Sequence, residues 1–308
     1  MQYASVVFYQ IIIMLILCCI GMVYHHFWPL SKHDTSTISR IISMVLSAGL
    51  ILSGGTMDYS AIPRSSCIAA IIIGFSTYLG LLAIGFVLGH FLGRTRSERV
   101  IYAMLCSFGN VGFFGIPLVN AAYGPEIAIY MYFFIIPCNV CSYTLGYMML
   151  NALKTERFQL DIHRLLNPGA ISCLVVIICF LFNWQFPEIP AKIVGYLTTA
   201  STPMAMFLVG VALYNTNWRL ALTNWRMLLF CLIRQLLLPL AAGLILRQFI
   251  SDPGLLGVSL IMWSLPIGNA TILLAEMVGI ETTPGPETVS LSTVASVVTI
   301  PLLLYILL

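Results

Sequence analysis

Two clusters hold the residues best suited to chemistry in this chain: Gly109-Asn110 running on to Pro117, and Pro266 running on to Gly268-Asn269. Each asparagine amide offers donors and an acceptor without a net charge. The glycines and prolines beside it disfavour a straight helix, so backbone N–H and C=O groups come free next to the amide. Within hydrocarbon, such groups persist only where protein or a water-filled cavity surrounds them. The amides can therefore stabilise the freed backbone or hold a polar ligand, and neither role is bond making. Breaks that recur at corresponding positions in two halves of one chain point to a substrate site between inverted repeats. The candidate ligand groups are Asn110, Gly112, Pro117, Pro266, Gly268, Asn269 and Thr271. A plainer reading, that glycine and proline are simply frequent in membrane helices and let them pack closely, fits one such cluster better than two in register.

Two ionisable residues lie inside apolar stretches, where charge is costly and is read as functional by default. Glu276 follows Asn269 by seven residues, two turns along and on the same face, so it could act as proton carrier or cation ligand; alternatively it pairs in solvent with a loop base. Arg234 either attracts an anionic substrate or neutralises an acidic residue between helices. Asp58 reads as interfacial, His90 as a head-group contact, and Asn139 as a partner for backbone freed by Pro137.

The elements that must position these groups are membrane spans. Hydrophobic residues make up 60% of the 308, and Asp, Glu, Lys and Arg together only 8%, against about a quarter in soluble domains. Ten stretches of about 20 residues emerge: 5–24, 38–57, 67–92, 99–123, 126–150, 168–186, 191–214, 225–249, 254–279 and 286–308. The first lacks a basic n-region and a small-residue cleavage site, and is expected to be a retained helix and not a signal peptide. With the N-terminus outside, the inner loops carry ten basic residues (Lys32, Arg40, Arg94, Arg96, Arg99, Lys154, Arg157, Arg164, Arg219, Arg226) and the outer loops three (Arg64, Lys192, Arg247). Both termini are thus expected outside. The net charge of +3 is spread over loops and implies no nucleic-acid partner.

The chain divides at its most polar stretch, Lys154 to Arg164, into residues 1–155 and 163–308, each expected to hold five spans. Five is odd, so the second repeat enters from the opposite side and the halves are inverted. Asn110 and Asn269 are 159 residues apart, and Gly124-Pro125-Glu126 and Gly285-Pro286-Glu287 are 161 apart. Each Gly-Pro-Glu sits where a fifth helix should begin, proline in the first turn and a carboxylate on the positive end of the helix dipole.

The run Gly109-Asn110-Val111-Gly112-Phe113-Phe114-Gly115-Ile116-Pro117-Leu118, the run from Thr202-Pro203-Met204 to Gly210-Val211-Ala212-Leu213, and Ser264-Leu265-Pro266-Ile267-Gly268-Asn269-Ala270 resemble the auxin efflux carrier family, with its bacterial permeases and plant PIN-type exporters. The resemblance covers essentially the whole chain. It implies an all-α membrane protein of ten transmembrane helices in two inverted five-helix repeats, with broken helices 4 and 9 crossing at their prolines. It further implies an elevator-like mechanism and small organic anions as substrates, malonate, malate or auxin-like. Asn110 and Pro117 then fall at the first crossover and Pro266 at the second. One departure stands out: the family's second helix usually carries a central proline, and this chain reads Leu46-Ser47-Ala48-Gly49-Leu50.

Other classes lose ground on the same residues. An intramembrane enzyme needs a nucleophile with its base, or paired acids, in one cavity. None is evident. Cys138-Asn139-Val140-Cys141 has metal-like spacing, but inside an apolar span without a nearby histidine; the nine cysteines read as small hydrophobes. The glycine-rich run lacks the Lys-Ser/Thr of a phosphate loop. No catalytic residue, cofactor or metal is expected, so energy must come from a gradient: H⁺ or membrane potential, with Na⁺ symport as the alternative and a passive channel as a weaker one. The expected setting is a bacterial-type cell membrane, crossed many times, with membrane lipid as partner and a homodimer left open.

Overall fold

A computed structural model describes residues 2–61, 63–155 and 167–308, which form helices joined by short turns, with no β-strand among them. The polar stretch 154–164, with Arg157, Arg164 and the expected division between residues 155 and 163, lies almost entirely outside the described residues. α1 (Gln2–Phe27), α2 (Lys32–Thr56) and α3 (Arg64–Leu92) lead into the shorter α4 (Arg96–Ser107) and the long run α5 (Val111–Thr155). α6 (Pro168–Phe182), α7 (Glu188–Asn215), the short α8 (Trp218–Thr223) and α9 (Trp225–Phe249) follow. α10 (Pro253–Ser264), α11 (Ala270–Val278) and α12 (Gly285–Leu307) complete the chain. Among the described residues seven helices, α1, α2, α3, α5, α7, α9 and α12, are long and apolar enough to cross a membrane, and α6 and α10 are shorter apolar helices.

Local sequence explains the boundaries. Ser31 and Asp34 form a reciprocal capping box, Ser31 Oγ accepting from Asp34 N and the Asp34 carboxylate from Ser31 N at 2.9 Å, so α2 starts before its apolar part. Gly124 adopts φ 82°, ψ 173°, a region that side chains avoid, and bends α5 so that a new helical direction begins at Pro125. Pro286 and Glu287 occupy the first turn of α12, as the matching Gly-Pro-Glu motif leads one to expect. α2, which lacks the central proline, is instead distorted by a π turn at Ile42–Leu46. Such turns insert one residue into the helical ladder and are frequent at functional sites. Others lie at Val111–Gly115, Ser142–Gly146 and Ile233–Leu237.

Packing relies on small residues, since lipid removes most of the hydrophobic drive between helices. Gly21 of α1 lies against the Phe207 carbonyl of α7, and Gly210 of α7 against the Cys18 carbonyl of α1, a reciprocal contact that any side chain would break. Gly85 and Gly89 let α3 lie on Ala103 and Arg99 of α4 in the same way. Aromatic rings fill the interior, with Phe133 and Phe180 edge to face at 4.8 Å and Tyr59 beside them. All nine cysteines are free thiols.

Candidate functional site

The two glycine-asparagine breaks meet. α4 ends at Ser107 and helix resumes at Val111; α10 ends at Ser264 and helix resumes at Ala270. Between them Gly109 and Ile267 face each other as an antiparallel bridge. Asn110 N donates to Pro266 O at 2.8 Å, and Gly268 N donates to Phe108 O at 2.9 Å. Two broken helices thus satisfy each other's freed backbone, as a buried crossing requires. Ser292 of α12 adds a third support, its Oγ accepting from Ile267 N at 3.0 Å.

The crossing sorts helix ends by sign. The positive ends of the helices that begin at Val111 and Ala270 open on a cavity of about 170 Å³. Asn110 and Asn269 stand at their N-cap positions, yet neither side chain caps its helix, which leaves both amides to the cavity. The remaining walls come from Ser39, Ser43 and Ser47 of α2, Asn139, Ser142 and Tyr143 of α5, and Ala205, Leu208 and Val209 of α7. Three of the four π turns contribute lining residues: Ile42 and Ser43, Val111 to Phe113, and Ser142 and Tyr143. None of the described lining residues is charged. Helix N-termini bind anions through their N–H groups and dipole, so the arrangement suits a small anion with apolar parts. Its volume is below the 300 Å³ or more of drug-sized sites.

A wider cavity of about 500 Å³ adjoins the first and shares Ser43, Tyr143 and Leu273 with it. Arg40 of α2 and Glu276 of α11 lie on its walls with Ser36 and Tyr147. Lys154 closes the far end of α11, its Nζ donating to Val278 O at 3.1 Å.

The expected site residues separate accordingly. Asn110, Gly112, Gly268 and Asn269 line the inner cavity, and Pro266 accepts the crossing hydrogen bond. Pro117 does not stand at the crossing: it lies seven residues beyond Asn110, about 10 Å along the helix at 1.5 Å per residue. Thr271 is fully buried but does not line the cavity. Glu276 is exposed to the wider cavity and not to the inner one. Arg234, 1% exposed, lies behind the crossing, where its Nε donates to Cys106 O at 2.6 Å and an Nη to Trp263 O at 2.9 Å; these are backbone carbonyls, not the acidic partner expected. Asn139 donates from Nδ2 to Ile135 O at 3.2 Å, not to the Phe133 carbonyl that Pro137 leaves without its helical N–H, and it also lines the cavity. The serines of α2 are further lining residues, and their sequence signal is weak: Ser39, Ser43 and Ser47 recur every four residues and so share one helix face.

Comparison with known proteins places the chain among membrane transporters. A family model described as membrane transport protein matches residues 6–161 and 154–304. An uncharacterized transporter of Methanothermobacter thermautotrophicus is 26% identical over 303 residues, covering 94% of both chains. A putative malonate transporter of Rhizobium meliloti is 23% identical over 246 residues, covering 75% of this chain and 74% of the relative. The apolar helices and these matches make the chain a multi-pass membrane protein whose role is transport and not catalysis. By a match that spans nearly its whole length, the chain belongs to the membrane transport protein family, the group of the auxin efflux carriers that its crossing motifs resemble.

Proposed function

We propose that this protein is a secondary active transporter of small organic anions, dicarboxylates of malonate or malate size or auxin-like carboxylates, working by elevator-type alternating access. One observation carries the reading: two helix N-termini, each with an uncapped asparagine amide, converge on one small uncharged cavity. Each N-terminus is equivalent to about +0.5 charge, so the pair opposes about one carboxylate charge without a buried cation. The relative described as a putative malonate transporter supports the same substrate class. Ten spans in two inverted repeats, 1–155 and 163–308, account for the two breaks: α4 with the start of α5, and α10 with α11, are the broken fourth and ninth spans, crossing near the bilayer midplane. Both termini lie outside, and the wider cavity, with Lys32 and Arg40 at its side, opens to the cytoplasm.

Purified protein in liposomes, offered malonate, malate and indole acids, is expected to give saturable uptake and counterflow for one class. Flux that rises linearly with concentration and shows no counterflow would turn the reading to a channel.

Coupling is assigned to Glu276, whose exposed carboxyl on the wall of the wider cavity is placed to take up and release protons. Glu276→Gln should abolish uptake driven by a pH gradient while counterflow, which needs no net proton movement, stays within about threefold of wild type. Gradient-driven accumulation that survives the substitution removes Glu276 from the mechanism; uptake that follows a Na⁺ gradient instead makes the protein a sodium symporter.

A further inference from the structure

Arg234 is the one charged side chain among the fully buried described residues, and the largest of them. A guanidinium stays protonated and cannot lie in an apolar interior without counter-charge. Among the described residues the ion pair formed is Lys192–Glu188, an exposed pair within α7, so no carboxylate among them balances Arg234. Its counter-charge is backbone. Cys106 O and Trp263 O belong to the last turns of α4 and α10, the negative ends of two helices that stop at the crossing. Each such end carries about −0.5 charge, and two make up about −1, which matches one guanidinium. Neighbouring Gln235 donates from Nε2 to Ser264 O at 3.2 Å, fastening the end of α10 a second time. The planar fork of arginine can hold two carbonyls in fixed geometry, which a point-like ammonium cannot.

We infer that Arg234 is a positioning residue that clamps the negative ends of both broken helices, thereby holding Asn110 and Asn269 at the cavity without touching the transported anion. It neutralises the ends whose field would repel an anion, and it does so without being one of the residues that line the cavity. The inference rests on the anion-transport reading for its consequence, but the clamp itself is tested independently of any substrate.

Hydrogen–deuterium exchange on the purified full chain reports the clamp through the amides of Asn110 and Gly268, which bond across the crossing. In Arg234→Gln, peptides covering these amides should exchange at least tenfold faster, while peptides around Cys18 and Gly210, in the α1–α7 contact, stay within twofold. Arg234→Lys should fall between wild type and the glutamine variant, and it decides the matter alone if the glutamine variant does not fold. Malonate counterflow in liposomes should drop at least tenfold in Arg234→Gln and recover in part in Arg234→Lys. Wild-type exchange at both amides in a folded variant, or loosening that spreads equally to α1 and α7, overturns the proposal. A wild-type protein that does not move malonate sets aside the substrate reading and leaves the exchange result to decide the clamp.

Discussion

Alanine at Asn110 or Asn269 should cost roughly 10- to 150-fold in transport efficiency, and the double variant should leave activity near background. The range follows from the 1.5–3 kcal/mol of a hydrogen bond to a charged group, with tenfold for each 1.4 kcal/mol. Neither amide is used to cap its own helix, so its loss should leave the backbone of the crossing intact. The crossing is held by backbone N–H and C=O groups that alanine keeps. Asn120→Ala and Asn151→Ala, away from the cavity, serve as controls and should transport within about threefold of wild type. Uptake assays of the four variants at matched protein per liposome check this. Normal transport by both single variants would falsify the site assignment.

How much of this was legible in the sequence depended on whether the signal lay in side chains. Broken helices announce themselves through Gly109, Gly115, Pro117, Pro266 and Gly268, because glycine and proline carry a known backbone cost. The repeated Gly-Pro-Glu likewise marked real helix starts at Pro125 and Pro286. Distance along a helix was less visible. Glu276 and Pro117 each follow an asparagine by seven residues, which restores the face but moves the residue about 10 Å along the axis, out of the inner cavity. π turns leave almost no compositional trace. That of α2 holds Ser43, which lines one cavity with Asn110. Backbone partners leave none at all: Arg234 looked as though it needed an acid, when two helix ends were available to balance it.

The strongest steric prediction concerns a single methyl group at the crossing. A Cβ at Gly268 would lie 2.9 Å from Gly109 O, 3.0 Å from Gly109 C and 3.2 Å from Asn110 N. All three are backbone atoms in the bridged segments of the crossing, so no rotamer change can make room. The two segments must separate by several tenths of an ångström, which weakens both the Asn110–Pro266 and Gly268–Phe108 bonds and shifts Asn110 and Asn269 together. Displacements approaching 1 Å at a preorganised site cost about a hundredfold. Gly268→Ala, which imposes several tenths of that 1 Å, should therefore lower transport about tenfold while the protein remains monodisperse, since the α1–α7 and α3–α4 contacts do not involve this residue. Gly109, its neighbour across the bridge, gives the opposite expectation. A Cβ there meets nothing nearer than Pro266 O at 3.5 Å, and at Gly112 nothing nearer than Leu50 Cδ2 at 3.4 Å, the mobile tip of a side chain. Gly109→Ala and Gly112→Ala should transport within about threefold of wild type. Three glycines of one motif pair thus divide by what lies opposite each, and equal activity in Gly268→Ala and Gly109→Ala would show that the closeness of the two segments at the crossing does not govern transport.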